Sequence, residues 1–526
     1  MVFNLKAGLF VAFFLLVVNS GTAVSQSYDV IIRNGRIVDG TGNPWFKGDV
    51  GIVGNRISGL GDLGDAVGTR ELDATGLYVT PGFIDTHSHA GPGLSSKTLS
   101  SGRPLLLQGV TTVLINPDGG GMVDLKSQKE QLMEHGIGVN VIQLVPHGSI
   151  RRTVMGAEDR RPTNSEMLQM LDLVERGMEE GAFGFSTGTF YVPGSYSKAS
   201  EIVEMAKIVA KYNGVYTSHI RDESNYTVGL ISAVEEVIDV ARNARLTAVV
   251  THVKALGPPV WGYGAAIVRK IEAAREEGLE IYADQYPYLG SSTGLSAALL
   301  PRWAQSGGAD SLLNRLDRPG VREDIRVAMS NNLARRGGAD RIQFRRVVFD
   351  ESIEGKLLSD VAEEQGNSAL EVALDIIRKG GASIISFNMF RGDLETLMVQ
   401  PWTMTSSDGG LVPWMQGVPH PRSYGAFPRK IRKYVVEEEL ISFGQAVNSM
   451  TGLPAQVFRI KDRGVLRVGS YADVLVFDLS RINDPATFTN PHQLAEGMVE
   501  VFVGGEPAVS DGQFTGVMAG KVITRN

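Results

Sequence analysis

Apolar and polar residues alternate in short bursts at both ends of the chain, whereas the middle carries unbroken apolar runs separated by helical periodicity. Residues 28–40 and 48–53 show the period-two pattern of half-buried strands divided by glycine turns, and predict part of a small β-sandwich or β-barrel. The texture returns at 469–477, 498–505 and 512–523, with Gly504-Gly505 and Asp511-Gly512 in hairpin-turn chemistry. The two ends are expected to build one β domain.

Between them, β-branched apolar runs at 111–115, 139–146, 183–187, 215–219, 247–252 and 280–286 alternate with helix-period segments such as 166–180 and 201–212. Repetition of strand and helix over some 300 residues predicts an α/β fold with parallel strands, and the length suits a TIM (β/α)8 barrel with insertions. No Gly-x-Gly-x-x-Gly opens the first unit to favour an open doubly wound sheet. At 291–345 the pattern changes to polar helices broken at Gly307-Gly308 and Gly337-Gly338, which reads as an inserted lid or as surface decoration.

The first residues have the layout of an export signal: Lys6, an apolar run over 7–18, then small and polar residues to Ser25. That run is about a dozen residues, short of the roughly 20 that span a bilayer. Cleavage, export to the periplasm or medium, and no stable membrane anchor afterwards are expected. The expected organisation is then a signal at 1–25, β-sandwich at 26–80, barrel at 81–455 and β-sandwich again at 456–526.

Composition narrows the function. With 43% hydrophobic and 21% charged residues and a net charge of −7, the chain has the balance of a globular enzyme, without the basic face that nucleic acid requires. It has no cysteine, so any metal must be held by nitrogen or oxygen.

Candidate chemistry gathers where the apolar runs end. In Pro81-Gly-Phe-Ile-Asp-Thr-His87-Ser-His89 two imidazoles share one side of an extended segment and can bind one ion. His219 and His252 each close a β-branched run, so half of the eight histidines lie at strand ends; each alone also fits a buried core histidine. Asp408, after Thr403-Met-Thr-Ser-Ser407, can ligate metal and shuttle protons, or close an Asp-Gly turn. Asp118, before three glycines, reads as a ligand or a turn residue. Arg422 offers a planar fork for a carboxylate, and Lys254 shares a strand face with His252. His147 is expected behind the ligands, and His135 and His492 on the surface.

These segments resemble the amidohydrolase superfamily. Ser186-Thr-Gly188 with Tyr191-Val-Pro-Gly194, Thr217-Ser-His-Ile-Arg-Asp-Glu223, Asp284-Gln-Tyr-Pro-Tyr288, His420-Pro-Arg422 and Met450-Thr-Gly-Leu-Pro-Ala455 are similar to its N-acyl-D-amino-acid deacylases, the D-aminoacylases, from about Tyr28 to the C-terminus. The resemblance implies metal ligation by His87, His89, His219, His252 and Asp408, with Asp408 as general base and acid. It implies that Lys254, Tyr286 and Arg422 recognise the substrate carboxylate, with Tyr191 nearby. Two departures stand out. The fourth-strand segment 181–190 has no lysine to carboxylate, and Asp118 takes the place of the cysteine these deacylases carry.

Zn2+ is the expected occupant, as one or two divalent ions, with Mn2+, Fe2+ or Co2+ as others the donors accept. The implied reaction is hydrolysis of the amide of a small-molecule N-acyl-D-amino acid. Metal lowers the pKa of bound water to about 7, and Asp408 takes the proton and returns it to the leaving amine. A dipeptidase or cyclic-amide hydrolase with the same metal core is the neighbouring reading. A binding protein without chemistry would not need four strand-end histidines and Asp408 together.

Overall fold

The computed structural model describes residues 27–525; the export signal read at 1–25 lies outside them. Eight parallel strands follow one another around a nearly closed barrel: Phe83–Asp85, Val110–Ile115, Asn140–Pro146, Gly184–Gly188, Val215–His219, Ala248–Val250, Ile281–Gln285 and Thr403–Thr405. The first and eighth are joined by side-chain and loop bonds at their carboxyl ends. Asp85 Oδ1 accepts from Ser407 N at 2.8 Å and its other oxygen accepts from Ser407 Oγ, while Asp408 N donates to His87 O at 2.9 Å. The seam that closes the barrel thus also fixes two residues of the candidate site.

Ile84, Leu114, Ile142, Leu144, Val215, Val249 and Met404 point inward, and Val457, Phe458 and Ile460 seal the floor beneath them. Full burial of each such side chain contributes about 1.5–3 kcal/mol, so this layer is a packed plug and leaves room for ligand only above it. The helices outside are amphipathic. Asn164–Glu179 begins with a capping box in which Thr163 and Glu166 satisfy each other's backbone N–H groups, and it buries Met170, Val174 and Met178 against the barrel.

Both chain ends build the second sheet. Strands Ser27–Ile37, Phe46–Val53, Arg56–Gly61, Val67–Asp73 and Tyr78–Pro81 join Val474–Phe477, Met498–Val503, Glu506–Ser510 and Gln513–Phe514 in nine strands. The sheet curls over itself, so that Arg70 reaches Glu500 at 2.9 Å. The chain passes from this sheet into the barrel at Gly82, where a Cβ would stand 2.1 Å from Thr111 Oγ1; only glycine fits.

One strand expectation fails at the C-terminus. Residues 512–523 do not form a single strand: Gln513–Phe514 stays with the β domain, and Val522–Ile523 pairs in parallel with Val141 and Ile142 of the third barrel strand. The fourth strand begins opposite Leu144, which leaves that lower edge open for the tail.

The segment between the seventh and eighth strands is larger and better packed than its polar pattern suggests. Ser291–Gly294, Ile342–Arg346 and Ser383–Ser386 form a three-stranded antiparallel sheet, with the last strand beyond residue 345. Its own core includes Leu299, Ile325, Met329, Phe344 and Val372. Among the described residues, no helix is long and apolar enough to cross a membrane.

Candidate metal centre

At the carboxyl ends of the barrel strands, His87, His89, Asp118 and Asp408 present ligand atoms all within 4.8 Å of one another, and Asp118 forms a second such set with His219 and His252. Asp118 belongs to both. Its Oδ1 lies 3.2 Å from His87 Nε2, 3.6 Å from His219 Nδ1 and 3.4 Å from His252 Nε2, while Oδ2 lies 3.4 Å from His89 Nε2. Two atoms each about 2.1 Å from one ion at a tetrahedral angle stand about 3.4 Å apart, so the spacing suits donors converging on shared ions. His87 Nε2, Asp118 Oδ1 and the His219 Nδ1 that faces Asp118 are buried without a hydrogen-bond partner. Buried polar atoms left unpaired are costly, and convergence on a cation accounts for them. The donor set fits one or two divalent ions.

The backbone places these ligands under strain. Asp118, His252 and Asp408 have φ of 55°, 35° and 50°, a region that L residues seldom adopt. Each is held there by neighbours. His252 N donates to Asp284 Oδ1 at 2.8 Å, and Asp408 N donates to His87 O. The Asp118 loop is tied by Ser186, whose hydroxyl donates to Asn116 O and accepts from Gly119 N. At Gly188 a Cβ would stand 2.1 Å from Asp118 O, so the fourth strand must present glycine beneath this carboxylate. Such over-determined strain is characteristic of functional loops.

Glu223, quoted in the sequence motif but given no role there, sits directly behind the second ligand set. Its Oε2 lies 3.6 Å from His219 Nε2, its Oε1 lies 3.2 Å from His252 Nδ1, and Oε1 also accepts from Lys254 Nζ. A carboxylate behind a ligating imidazole orients the ring and raises its basicity. The signal was present as Glu four residues after His219, but nothing in the sequence said that the next strand would bring His252 and Lys254 to the same carboxylate.

The electrostatics keep the acids ionised. Burial pushes Asp408 up, yet Arg422, His252 and His89 together hold it far below the usual carboxylate range. Asp118 is likewise opposed by burial and pulled down by His87, His219 and His252. Burial of Glu223 is outweighed first by Lys254 and then by His219 and His252.

The cluster opens into a cavity of about 950 Å³ that Tyr191, Lys254, Tyr286 and Arg422 also line. Arg422 Nη1 lies 2.8 Å from Asp408 Oδ2, off the hydrogen-bonding direction, and its guanidinium is 4.7 Å from the Tyr286 ring centre. Tyr191 packs 4.6 Å from the His219 ring and accepts a hydrogen bond from Thr293. Lys254 is already paired with Glu223 and contacts His252 Nδ1 at 2.9 Å, so it serves the ligand frame as well as facing the cavity. Ser292, Thr293, Arg336, Arg345 and Ser383 show that the inserted segment forms one wall of this cavity.

Three of the four remaining histidines had a place read from the sequence. His147 bonds Glu201 at 3.0 Å, with Arg151 on the other oxygen, behind the Asp118 loop. His135 is exposed. His492 is not a surface residue: it is 9% exposed, bonded to Tyr424 Oη at 2.8 Å and packed against Trp414. Its polar flanks in sequence hid an aromatic pocket made by distant residues.

A family profile described as the amidohydrolase family matches residues 70–509. The chain is 32% identical to a D-aminoacylase of Alcaligenes xylosoxydans xylosoxydans over 524 residues, 95% of this chain and 98% of that one. It is 33% identical to an N-acyl-D-glutamate deacylase of the same organism over 502 residues, 92% and 94% of the two chains. The structure of N-acyl-D-glutamate deacylase from Bordetella bronchiseptica, complexed with zinc and a phosphonate mimic of the reaction's tetrahedral intermediate, superposes with a TM-score of 0.80 at 31% identity, covering 95% of this chain and all of that one. On its barrel, its strand-end donors and these matches, the chain belongs to the amidohydrolase family.

Proposed function

We propose that this protein is a metal-dependent N-acyl-D-amino-acid deacylase that hydrolyses the linear amide to a carboxylate and a free D-amino acid. The observation that carries the reading is the pair of histidine–carboxylate ligand sets sharing Asp118 on the floor of a cavity, beside an ionised Asp408. The relatives, named for D-amino-acid substrates over nearly the whole chain, give the stereochemistry. Zinc suits a site of four imidazoles and two carboxylates, and it is the ion in the Bordetella deacylase.

His87, His89, Asp118, His219, His252 and Asp408 would hold the metal, Asp118 being common to both ligand sets. A bound divalent ion would acidify water and polarise the acyl carbonyl. Asp408, ionised and 3.2 Å from His89, accepts the water proton as oxygen adds to the acyl carbon. It then delivers that proton to the amide nitrogen as the C–N bond breaks. Arg422, with Tyr286 against it, holds the substrate's α-carboxylate and keeps the neighbouring Asp408 charged until the proton arrives. Lys254 adds positive charge on the same wall, and Tyr191 bounds the acyl side next to His219. The apolar run over 7–18 further supports export of the chain.

The test is a panel of paired D and L N-acetyl amino acids, dipeptides and hydantoins assayed with zinc-loaded protein. Turnover of the D acyl-amino acids alone supports the reading. Turnover confined to dipeptides or hydantoins, or equal use of L isomers, overturns it.

A further inference from the structure

Most buried arginines of this chain have an acid beside them. Arg151 pairs with Glu201, Arg221 with Glu236, Arg463 with Asp473 and Arg422 with Asp408. Two cavity-lining arginines on the inserted segment break that rule. Arg336 is 1% exposed, yet its guanidinium has one side-chain hydrogen bond, to Ser386 Oγ at 2.9 Å, and the Tyr226 ring 5.9 Å away, and its Nε has no partner. Arg345, on strand Ile342–Arg346, also has a buried, unpartnered Nε. No carboxylate of the described residues comes within 4.0 Å of either guanidinium. Burial and the facing charge of Arg422 push Arg345 down to about 10, so like charges confront each other across this part of the cavity.

A buried cation without a counter-charge is strongly disfavoured unless something arrives to pair with it. The acids of the cavity cannot, because Asp408 lies against Arg422, Glu223 against Lys254 and Asp118 among the ligand histidines. Both unpaired forks line the same cavity as Asp408, and hydroxyl-bearing Ser292, Thr293 and Ser383 line it with them. Guanidinium forks matched to hydroxyl donors are the chemistry that recognises a carboxylate.

We propose that Arg336 and Arg345 form a second anion subsite, separate from the α-carboxylate clamp, that selects N-acyl-D-amino acids bearing a second carboxylate. This rests on the deacylase reading above. The second carboxylate belongs to the amino-acid side chain or to the far end of a dicarboxylic acyl group, and the substrates used in the test separate the two.

The experiment compares kcat/KM of zinc-loaded protein for N-acetyl-D-glutamate against its neutral isostere N-acetyl-D-glutamine, and for N-succinyl-D-methionine against N-acetyl-D-methionine. At least one acidic member is expected to lead its neutral partner by about tenfold or more, as a charged hydrogen-bonded contact requires. The pair that shows the lead tells where the carboxylate sits. Arg336→Gln and Arg345→Gln should collapse that ratio, and Arg336→Lys should keep part of it; metal content and thermal midpoint identify any variant that fails to fold. Ratios near one in the wild-type protein overturn the proposal without recourse to variants. If no acyl-amino acid turns over at all, the deacylase reading fails instead, and calorimetry with glutarate against butyrate on the zinc-loaded protein still decides the subsite. Tighter glutarate binding that weakens in Arg336→Gln supports it; equal binding refutes it.

Discussion

Replacing Glu223 with glutamine should unsettle both the second ligand set and the lysine behind it. The carboxylate is buried between His219, His252 and Lys254, and both it and the lysine side chain are only 5% exposed. Glutamine keeps the shape and one acceptor but removes the charge, which leaves Lys254 as a buried cation with no acid in reach. Stripping one partner from a buried pair costs about 3–5 kcal/mol. The retained amide places this variant near the lower figure. The same change removes the group that orients His252, and losses of such supporting contacts lower metal affinity roughly 10–100-fold. Urea denaturation of chelator-treated protein measures the first effect, and competition with a zinc chelator measures the second. Adding Lys254→Met should recover most of the stability lost in Glu223→Gln without restoring metal affinity, because it removes the stranded charge and leaves His252 unsupported. Stability losses that simply add in the double variant would refute the pairing of these residues.

Three further outcomes follow from the same geometry. Asp408→Asn should lower kcat by about 10²–10⁴-fold while zinc content, measured on the same preparation, stays within reach of the wild type; undiminished turnover would remove the proton-transfer role. Asp118→Ala should lower the number of zinc ions held per chain or weaken them jointly, since both ligand sets lose their common member; unchanged metal titration would make Asp118 a turn residue. Lys430 is buried with only the Thr405 and Ser449 hydroxyls as partners, and burial pushes it down to about 7 from an ordinary 10.5. Between those values the unfolded chain holds a proton that the folded chain lacks, so wild-type stability rises with pH across that window. Lys430→Met should therefore stabilise most at or below pH 7, by less than about 5 kcal/mol, and its advantage should shrink towards pH 10; denaturation midpoints that differ equally at both pH values would contradict the depressed lysine.

The strand-end histidines were legible because each follows a β-branched run, and a parallel barrel delivers every such end to one face. Asp408 and Asp118 were legible as candidates for the same reason, although only the folded chain shows Asp118 reaching both ligand sets with its two oxygens. Partners brought together across long separations were not legible. Asp85 and Ser407 are 322 residues apart and meet at the barrel seam, and Glu223 acquires Lys254 only when the fifth and sixth strands lie side by side. The tail strand was misplaced because Val522 and Ile523 look alike on any sheet edge, and the sequence does not show that the third barrel strand has an open one. Nothing in the sequence singles out Arg336 and Arg345; their significance lies in what fails to stand beside them in the fold.

We propose that strand-end histidines and carboxylates hold the metal on which D-selective amide hydrolysis depends. The most direct measurement strips the metal with a chelator, titrates zinc back, and follows hydrolysis of N-acetyl-D-methionine and its L isomer at each ratio of zinc to chain. The stripped protein should show no turnover, activity should return with the first one or two zinc ions bound per chain, and the D isomer should be preferred throughout. Full activity in metal-free protein, or metal-restored activity that does not distinguish D from L, would contradict the proposal.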